Sequence, residues 1–308
     1  MVSPLIISLK KHKNFCGSEI KVLSPAKINL YLNIKGKYPN GFHRLESIVE
    51  RISLSDEISI KTIKAPIVEV SSNIKSLETD DNLIVKAVQL IRKKFKIPFG
   101  FNIFLKKVIP IGAGLGGGSS NAASTLIGLN KLFNLKLRRE ELYLLGKRLG
   151  SDVNFFLSQS QFAFLEGRGE KVTPLAIKKK FSHFIIWPGI FISTKKVYSG
   201  MRVHPVRSKT SNGVELTNFF NNDNIMRYAL KKEDISLIRK NVFNALEKRA
   251  LSLYAELRLA KMHLDECGIF AKVTGSGSAF YTVGDISSLS KVKRLVPKEW
   301  EVFKVNTF

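Results

Sequence analysis

The sequence predicts an α+β protein built from two domains. Three observations carry that prediction. The chain has 308 residues, and roughly 100–200 residues make one domain. Apolar alternation of the strand period and apolar recurrence of the helix period interleave along it, and the pattern restarts after about residue 175. A glycine run, Gly112-Ala113-Gly114-Leu115-Gly116-Gly117-Gly118-Ser119-Ser120, stands between an alternating segment and a helical one. The 44% hydrophobic and 24% charged content is that of an ordinary globular chain. No apolar run approaches the roughly 20 residues that span a bilayer, so no membrane partner is expected.

The elements follow in order. Residues 1–20 read as an N-terminal extension or a mispredicted start, with a basic transit segment as a weaker alternative. Their apolar part, Pro4 to Leu9, is too short for a secretory signal, and Lys10, Lys11 and Lys13 follow it rather than precede it. Residues 20–36 alternate and read as a strand pair or one strand bent at Pro25, with Ile28, Leu30, Leu32 and Ile34 on one face. Tyr38-Pro39-Asn40-Gly41 is a turn, and residues 45–63 are strand again. Asp80 or Asp81 is the expected cap of a helix running to about Phe95. Phe101 to Ile111 alternates. Ala122, Leu126, Leu129 and Phe133 recur at helical spacing. Glu140–Leu149 is a helix for which Gly150 supplies a left-handed stop. Phe184–Trp187 is a short strand, 200–223 a polar loop, and Val242–Leu264 a helical stretch. Ile269–Val273 and Ala279–Val283 are strands flanking Thr274-Gly275-Ser276-Gly277-Ser278.

The glycine run is the first candidate for chemistry. Glycine lets the backbone approach a phosphate and aim successive N–H groups at it. The helix that follows adds unpaired donors and a positive dipole end. Gly112, Gly114 and Gly117 form a G-x-G-x-x-G, but Leu132 to Leu137 holds no acid where a dinucleotide fold needs one. No Lys-Ser or Lys-Thr closes the glycines, so the P-loop pattern fails too. The bland alternative is a flexible loop with serine as helix cap.

Four further segments stand beside it. Lys27, in Ser24-Pro25-Ala26-Lys27-Ile28-Asn29, is either a site-wall ammonium or a surface lysine. Asp152, in Gly150-Ser151-Asp152, is either a helix cap or a carboxylate placed to take a proton. Phe42-His43 in a turn can stack on and hydrogen-bond a heterocycle, or be incidental. Thr274–Ser278 is either a hairpin turn or a second set of backbone donors.

The net charge of +25 invites a nucleic-acid reading. The densest clusters, Arg92-Lys93-Lys94 and Lys178-Lys179-Lys180, lack the interleaved aromatics that stack bases. A solvated basic surface that also attracts small anions explains the charge, and no nucleic-acid partner is expected. Cys16 and Cys267 have no metal-ligand spacing, and a reducing cytoplasm is the simplest setting for them.

Taken together and in this order, Pro25 to Leu30, Gly41-Phe42-His43, Pro110 to Ser120, Gly150-Ser151-Asp152 and Thr274 to Gly277 resemble the GHMP kinase superfamily. Glu166-Gly167-Arg168-Gly169-Glu170 matches as well. Galactokinases and mevalonate kinases carry Gly-Glu-His soon after the first motif. This chain has Leu32-Asn33-Ile34-Lys35-Gly36 there, which resembles the isoprenoid-precursor branch instead. Two departures stand out: Asn154 where proline is common, and Phe42 where tyrosine is frequent.

The resemblance implies a ribosomal-protein-like ATP-binding and catalytic domain over 21–176 and a ferredoxin-like GHMP domain over 177–308. It implies ATP and Mg²⁺ as cofactors, with no metal ligand named. It implies transfer of the ATP γ-phosphoryl to the 2-hydroxyl of 4-diphosphocytidyl-2-C-methyl-D-erythritol, in a cytoplasmic monomer or homodimer. Homoserine, mevalonate or a sugar are the alternative acceptors. By the same likeness Asp152 is the catalytic base and Lys27 its partner. Asn82 and Lys107 lie near the adenine. Pro110, Ile111, Gly112, Ala113, Gly114, Leu115, Gly116, Gly117, Gly118, Ser119 and Ser120 hold the phosphates. Asn29, Phe42, His43 and Tyr198 meet the acceptor, with His43 on the cytosine and the two aromatics about it.

Overall fold

A computed structural model describes residues 5–199, 201, 222–284 and 289–308. They form two compact units that interleave along the chain. The first takes the residues up to Ala26, Leu54–Pro110 and Gly116–Ser160; the second takes Lys27–Ser53, Ile111–Leu115 and Gln161–Phe308. Both units therefore draw on the 21–176 segment. The expected loop at 200–223 lies outside the described residues except for Met201, Asn222 and Asp223.

In the first unit, β1 (Ile6–Lys10) pairs antiparallel with the start of β2 (Glu19–Lys37), from Ile6↔Val22 to Lys10↔Glu19. Residues within the expected N-terminal extension are thus part of a sheet. The second half of β3 (His43–Ile63) faces Leu54, Asp56, Ile58 and Ile60 inward at period two. β4 (Val68–Ser72) runs parallel to β5 (Gly100–Lys106), and β5 is antiparallel to Glu57–Ile63. Helix α1 (Leu83–Phe95) is capped by Asn82, not by Asp80 or Asp81: Asn82 Oδ1 accepts from Ile84 N–H at 2.9 Å. An acid one or two residues earlier cannot reach the second and third helical amides.

Helix α2 (Gly117–Leu132) is buried without a break from Ser120 to Leu129. A helix apolar or small on all sides belongs in the middle of a layer, and α2 packs against α1, α3 (Arg139–Leu149) and α4 (Val153–Ser158). Gly150 is not left-handed as expected. It is extended, with φ 169° and ψ 163°, because the chain turns into α4 within three residues.

In the second unit, Leu45–Glu50 of β3 pairs antiparallel with β6 (Phe162–Gly167), and β6 with β7 (Lys171–Pro174). Chain order then gives β8 (Ser182–Trp187), α5 (Thr194–Ser199), α6 (Asn222–Lys232), α7 (Ile235–Asn241), β9 (Phe243–Asn244), α8 (Glu247–Leu253), α9 (Ala255–Glu266), β10 (Ala271–Val273), β11 (Phe280–Thr282), α10 (Leu289–Leu295) and β12 (Glu301–Asn306). Four of these strands make an antiparallel sheet in the order β10-β11-β8-β12. Its apolar face packs Phe184, Ile186 and Phe280 against Leu246, Leu257 and Leu264 of the helical layer. The expected helical stretch over 242–264 is broken twice. Phe243–Asn244 is drawn into parallel pairing with β2, and Tyr254 is extended (φ −122°) between α8 and α9. The helical period continues across both breaks, so periodicity cannot reveal them.

A buried ion pair ties β8 to β3. His183 Nδ1 lies 2.7 Å from Thr282 O and Nε2 3.1 Å from Glu50 Oε2. Burial alone lowers the imidazole pKa; attraction to Glu50 and the two hydrogen bonds outweigh it and raise it. Cys16 and Cys267 are free thiols. Among the described residues no helix is long and apolar enough to cross a membrane.

Candidate active site

In the second unit the first half of the glycine run meets the Thr274–Ser278 loop. Gly114 has φ +76°, and a Cβ there would fall 2.1 Å from the Thr274 carbonyl oxygen. Only glycine permits that approach. Ala279 N–H donates to Ala113 O at 3.1 Å, and Lys27 N–H to Leu115 O at 3.0 Å. The Phe191 ring covers Gly112 so closely that a Cβ would meet it at 2.6 Å.

Lys27 lies at the wall of this assembly and is 4% exposed, which removes the surface-lysine reading. Its Nζ donates to Asn29 Oδ1 at 2.5 Å. Asn29 is fixed on every side. Its Nδ2 donates to Ser47 Oγ at 2.9 Å, its N–H to Thr274 Oγ1 at 3.1 Å, and its carbonyl accepts from Tyr281 O–H at 2.8 Å. Burial, with Glu247 and Glu50, raises the Tyr281 phenol well above its ordinary value, so the donor is retained. The Thr274–Ser278 loop is a hairpin connection between β10 and β11, and it also abuts Lys27: a Cβ on Gly275 would lie 3.3 Å from Lys27 Nζ.

Phe42, His43 and Tyr198, all in this unit, make two ring contacts. The His43 and Tyr198 rings are 5.3 Å apart at 46°. Phe42 is half exposed, and the Arg168 guanidinium sits 4.5 Å from its ring centre. Burial, then the Lys37 charge, lowers the His43 pKa, so the ring is neutral at pH 7 and offers one donor and one acceptor.

The first unit holds the other half of the run. Gly116 is left-handed (φ 72°), and α2 begins at Gly117. Ser119 and Ser120 are therefore in the first helical turn and serine is not the cap. Ser120 N–H is the first to bond back, to Gly116 O at 2.9 Å, which leaves the amides of 117–119 without helical acceptors. Beneath them lies a buried polar network. Asp56 Oδ2 accepts from Lys107 Nζ at 2.8 Å and Asn121 Nδ2 at 2.9 Å. Asp56 Oδ1 accepts the Val108 and Ile109 amides at 2.7 and 2.8 Å. Asn121 Nδ2 also reaches Ser24 Oγ at 2.8 Å, and Ser24 donates to Ser120 Oγ at 2.8 Å. Lys107 is further fixed to Ile109 O at 2.6 Å; burial lowers its pKa and Asp56 opposes the shift.

Asp152 precedes α4 with helical φ and ψ and accepts no capping bond from it, so the cap reading is removed. A Cβ on Gly150 would lie 3.6 Å from Ser119 Oγ, which brings Gly150-Ser151-Asp152 beside the end of the glycine run. Asn82 is engaged within the unit: Oδ1 caps α1 and Nδ2 donates to Leu77 O at 2.9 Å. Among the described residues no group of three His, Cys, Asp or Glu could hold a metal.

Comparison with known proteins decides among kinase families. The family described as GHMP kinases N terminal domain matches residues 82–160. The 4-diphosphocytidyl-2-C-methyl-D-erythritol kinase of Acinetobacter baylyi is 38% identical, over 93% of this chain and 96% of its own. The chain belongs to the 4-diphosphocytidyl-2-C-methyl-D-erythritol kinase family of GHMP kinases. A crystal structure of 4-(cytidine 5'-diphospho)-2C-methyl-D-erythritol kinase superposes with TM-score 0.73 at 28% identity, covering 93% of this chain and 98% of that one. A homoserine kinase from Cytophaga hutchinsonii shares the fold, with TM-score 0.68 at 16% identity over 98% of each chain. The α+β GHMP fold expected from the sequence is the one found.

Within this family member the sequence motifs divide between the units. Lys27, Asn29, Phe42, His43, Tyr198 and Ile111–Leu115 lie in the second; Asn82, Lys107, Pro110, Gly116–Ser120 and Asp152 lie in the first. Sequence reasoning missed Asp56, Arg168 and Phe191. Asp56 had a signal, an acid at an inward position of an alternating strand. Arg168 stood inside a motif already noted. Phe191 had none, because it covers Gly112, a residue distant in sequence.

Proposed function

We propose that the chain transfers the γ-phosphoryl of ATP to the 2-hydroxyl of 4-diphosphocytidyl-2-C-methyl-D-erythritol, a step in isoprenoid precursor synthesis. The observation that carries this is the 38% identity with a kinase of that name across nine-tenths of both chains. The homoserine kinase shares only the fold. The residue chemistry agrees with the reading. An alcohol is a weak nucleophile, and Asp152 accepts its proton as attack proceeds. Lys27 stabilises the charge that develops on the transferring phosphoryl group. The glycine amides hold the phosphates, and phosphoryl transfer otherwise needs little beyond positioning and charge neutralisation.

Mg²⁺ is held largely by substrate phosphates with one or two protein oxygens. The absence of a three-residue ligand cluster among the described residues therefore fits it. Ser119, at the end of the glycine run, is the protein oxygen we assign to it, and the ion would neutralise phosphate charge there. Phe42 and Tyr198 cover the cytosine and neutral His43 hydrogen-bonds it. Asn82 and Lys107, whose polar atoms are engaged within the first unit, shape the adenine end of the site rather than bond the base. Pro110 and Ile111 carry the chain into the phosphate-binding run.

An acceptor panel tests the proposal. With ATP and Mg²⁺, ADP release is expected with the cytidyl diphosphate polyol and not with homoserine, mevalonate or galactose. Release with one of the latter and not with the cytidyl compound overturns it.

A further inference from the structure

The connection between α7 and α8 carries a buried amide, Asn244, that takes no part in the site as described so far. It joins two pieces of the second unit. Phe243 and Asn244 run parallel to Tyr31 and Leu32, and Ala245 N–H donates to Leu32 O at 2.9 Å. The segment is thereby fixed to the strand that bears Lys27 and Asn29. The Asn244 side chain reaches the other piece. Its Nδ2 donates to the Val273 and Gly275 carbonyls, both at 2.8 Å, and its Oδ1 accepts from Leu246 N–H at 3.0 Å. Glu247 adds a second grip: Oε1 accepts from Val273 N–H and Oε2 from Lys272 Nζ, each at 3.0 Å.

The object of this grip is the Thr274–Ser278 loop, two of whose five residues are glycine. Such a loop has many backbone conformations to lose, and its side chains hold it at the far end, where Ser276 Oγ bonds Thr194 Oγ1 at 2.8 Å and Ser278 Oγ accepts from Trp187 Nε1 at 3.1 Å. Yet its position is tightly specified on the other partners. Thr274 Oγ1 accepts from Asn29 N–H at 3.1 Å, and the Thr274 carbonyl leaves no room for a Cβ on Gly114. Two side chains three positions apart, Asn244 and Glu247, restrain its entry, at the Gly275 carbonyl and at Val273, the strand residue that leads into it.

We infer that Asn244, assisted by Glu247, is a positioning residue for phosphoryl transfer: it fixes the Thr274–Ser278 loop against Lys27, Asn29 and the first half of the glycine run. This rests on the kinase reading. Its side-chain bonds go to Val273 at the end of β10, to Gly275 in the loop and to Leu246 just before α8, so it acts through the loop on Asn29 and Lys27. A displacement of about 1 Å in such a site costs on the order of 100-fold in rate.

Asn244→Asp replaces a two-hydrogen donor by an oxygen facing two carbonyl oxygens. It is expected to lower kcat by about 100-fold, leave both KM values within about threefold, and keep a cooperative melt. Asn244→Ser retains one donor and is expected to recover about tenfold of that loss. A purely structural role predicts a lower Tm with kcat per folded molecule unchanged, and that result overturns the inference. If Asn244→Asp does not fold, Asn244→Ser and Glu247→Gln carry the test, and wild-type kcat in both overturns it. Hydrogen exchange gives a readout independent of activity: in the variants, peptides covering 27–30, 111–116 and 274–279 should exchange about tenfold faster while those of β8 do not. Unchanged exchange there overturns the clamp. A wild-type chain silent toward every acceptor overturns the kinase reading instead, and the exchange data then judge the clamp alone.

Discussion

Two buried polar networks support the two halves of the glycine run, and they differ in kind. Under Gly116–Ser120 the network is ionic, with Lys107 and Asp56 facing each other at 2.8 Å and side-chain exposures of 5% and 0%. Around Ile111–Leu115 it is built from neutral amides and hydroxyls of Asn29, Ser47, Thr274 and Tyr281, with the Lys27 ammonium on Asn29 Oδ1. The first arrangement matches a lysine to a carboxylate inside the fold and ties down the backbone entering α2. The second holds the Lys27 ammonium on an amide oxygen, Asn29 Oδ1, and that amide is itself fixed by Ser47. A buried charge alone does not identify a reacting group.

The difference can be broken by substitution. The largest effect is expected at the reacting groups. Asp152→Ala and Lys27→Ala should each lower kcat by about 10³-fold with Tm almost unchanged. Near-normal turnover in either variant removes its role. Next comes Lys107→Met, which leaves the buried Asp56 without the ammonium that faces it. Chemical denaturation should show a loss of about 3–5 kcal/mol, while kcat of the folded fraction stays within about tenfold of wild type. A Lys107 variant that is stable but inactive would make Lys107 a second Lys27 and erase the distinction.

Smaller effects should appear at the aromatic residues. His43→Ala is expected to raise KM for the cytidyl acceptor about tenfold and leave KM for ATP alone. Because burial and Lys37 lower the His43 pKa, the ring stays neutral down past its ordinary value of 6.5. The acceptor KM should therefore be flat from neutral pH to about 6.5 and rise only in more acidic solution. A KM that rises already on the alkaline side of that value would show the ring is not the titrating contact.

The two networks were not equally legible in the sequence. The glycine run announced itself by composition, and its neighbours Lys27, Asp152 and Phe42-His43 by their order along the chain. Asp56 was legible in principle, since an acid at an inward strand position needs a partner. Asn244 was not: its bonds reach Val273 and Gly275, 29 and 31 positions away, and nothing local marks an asparagine in an apolar stretch as a clamp. The same limit explains the elements. Asp80 and Asp81 looked like caps because they are acidic, whereas geometry selects Asn82. The break at Tyr254 leaves the helical period intact, so only tertiary packing reveals it.

Phosphorus NMR of the reaction mixture tests the central claim most directly. With ATP, Mg²⁺ and the cytidyl diphosphate polyol, a new phosphomonoester signal coupled to the 2-position of the methylerythritol carbon chain should grow as ADP appears, with the acceptor diphosphate intact. ATP consumed to inorganic phosphate, or a phosphate carried on another hydroxyl, would contradict the account.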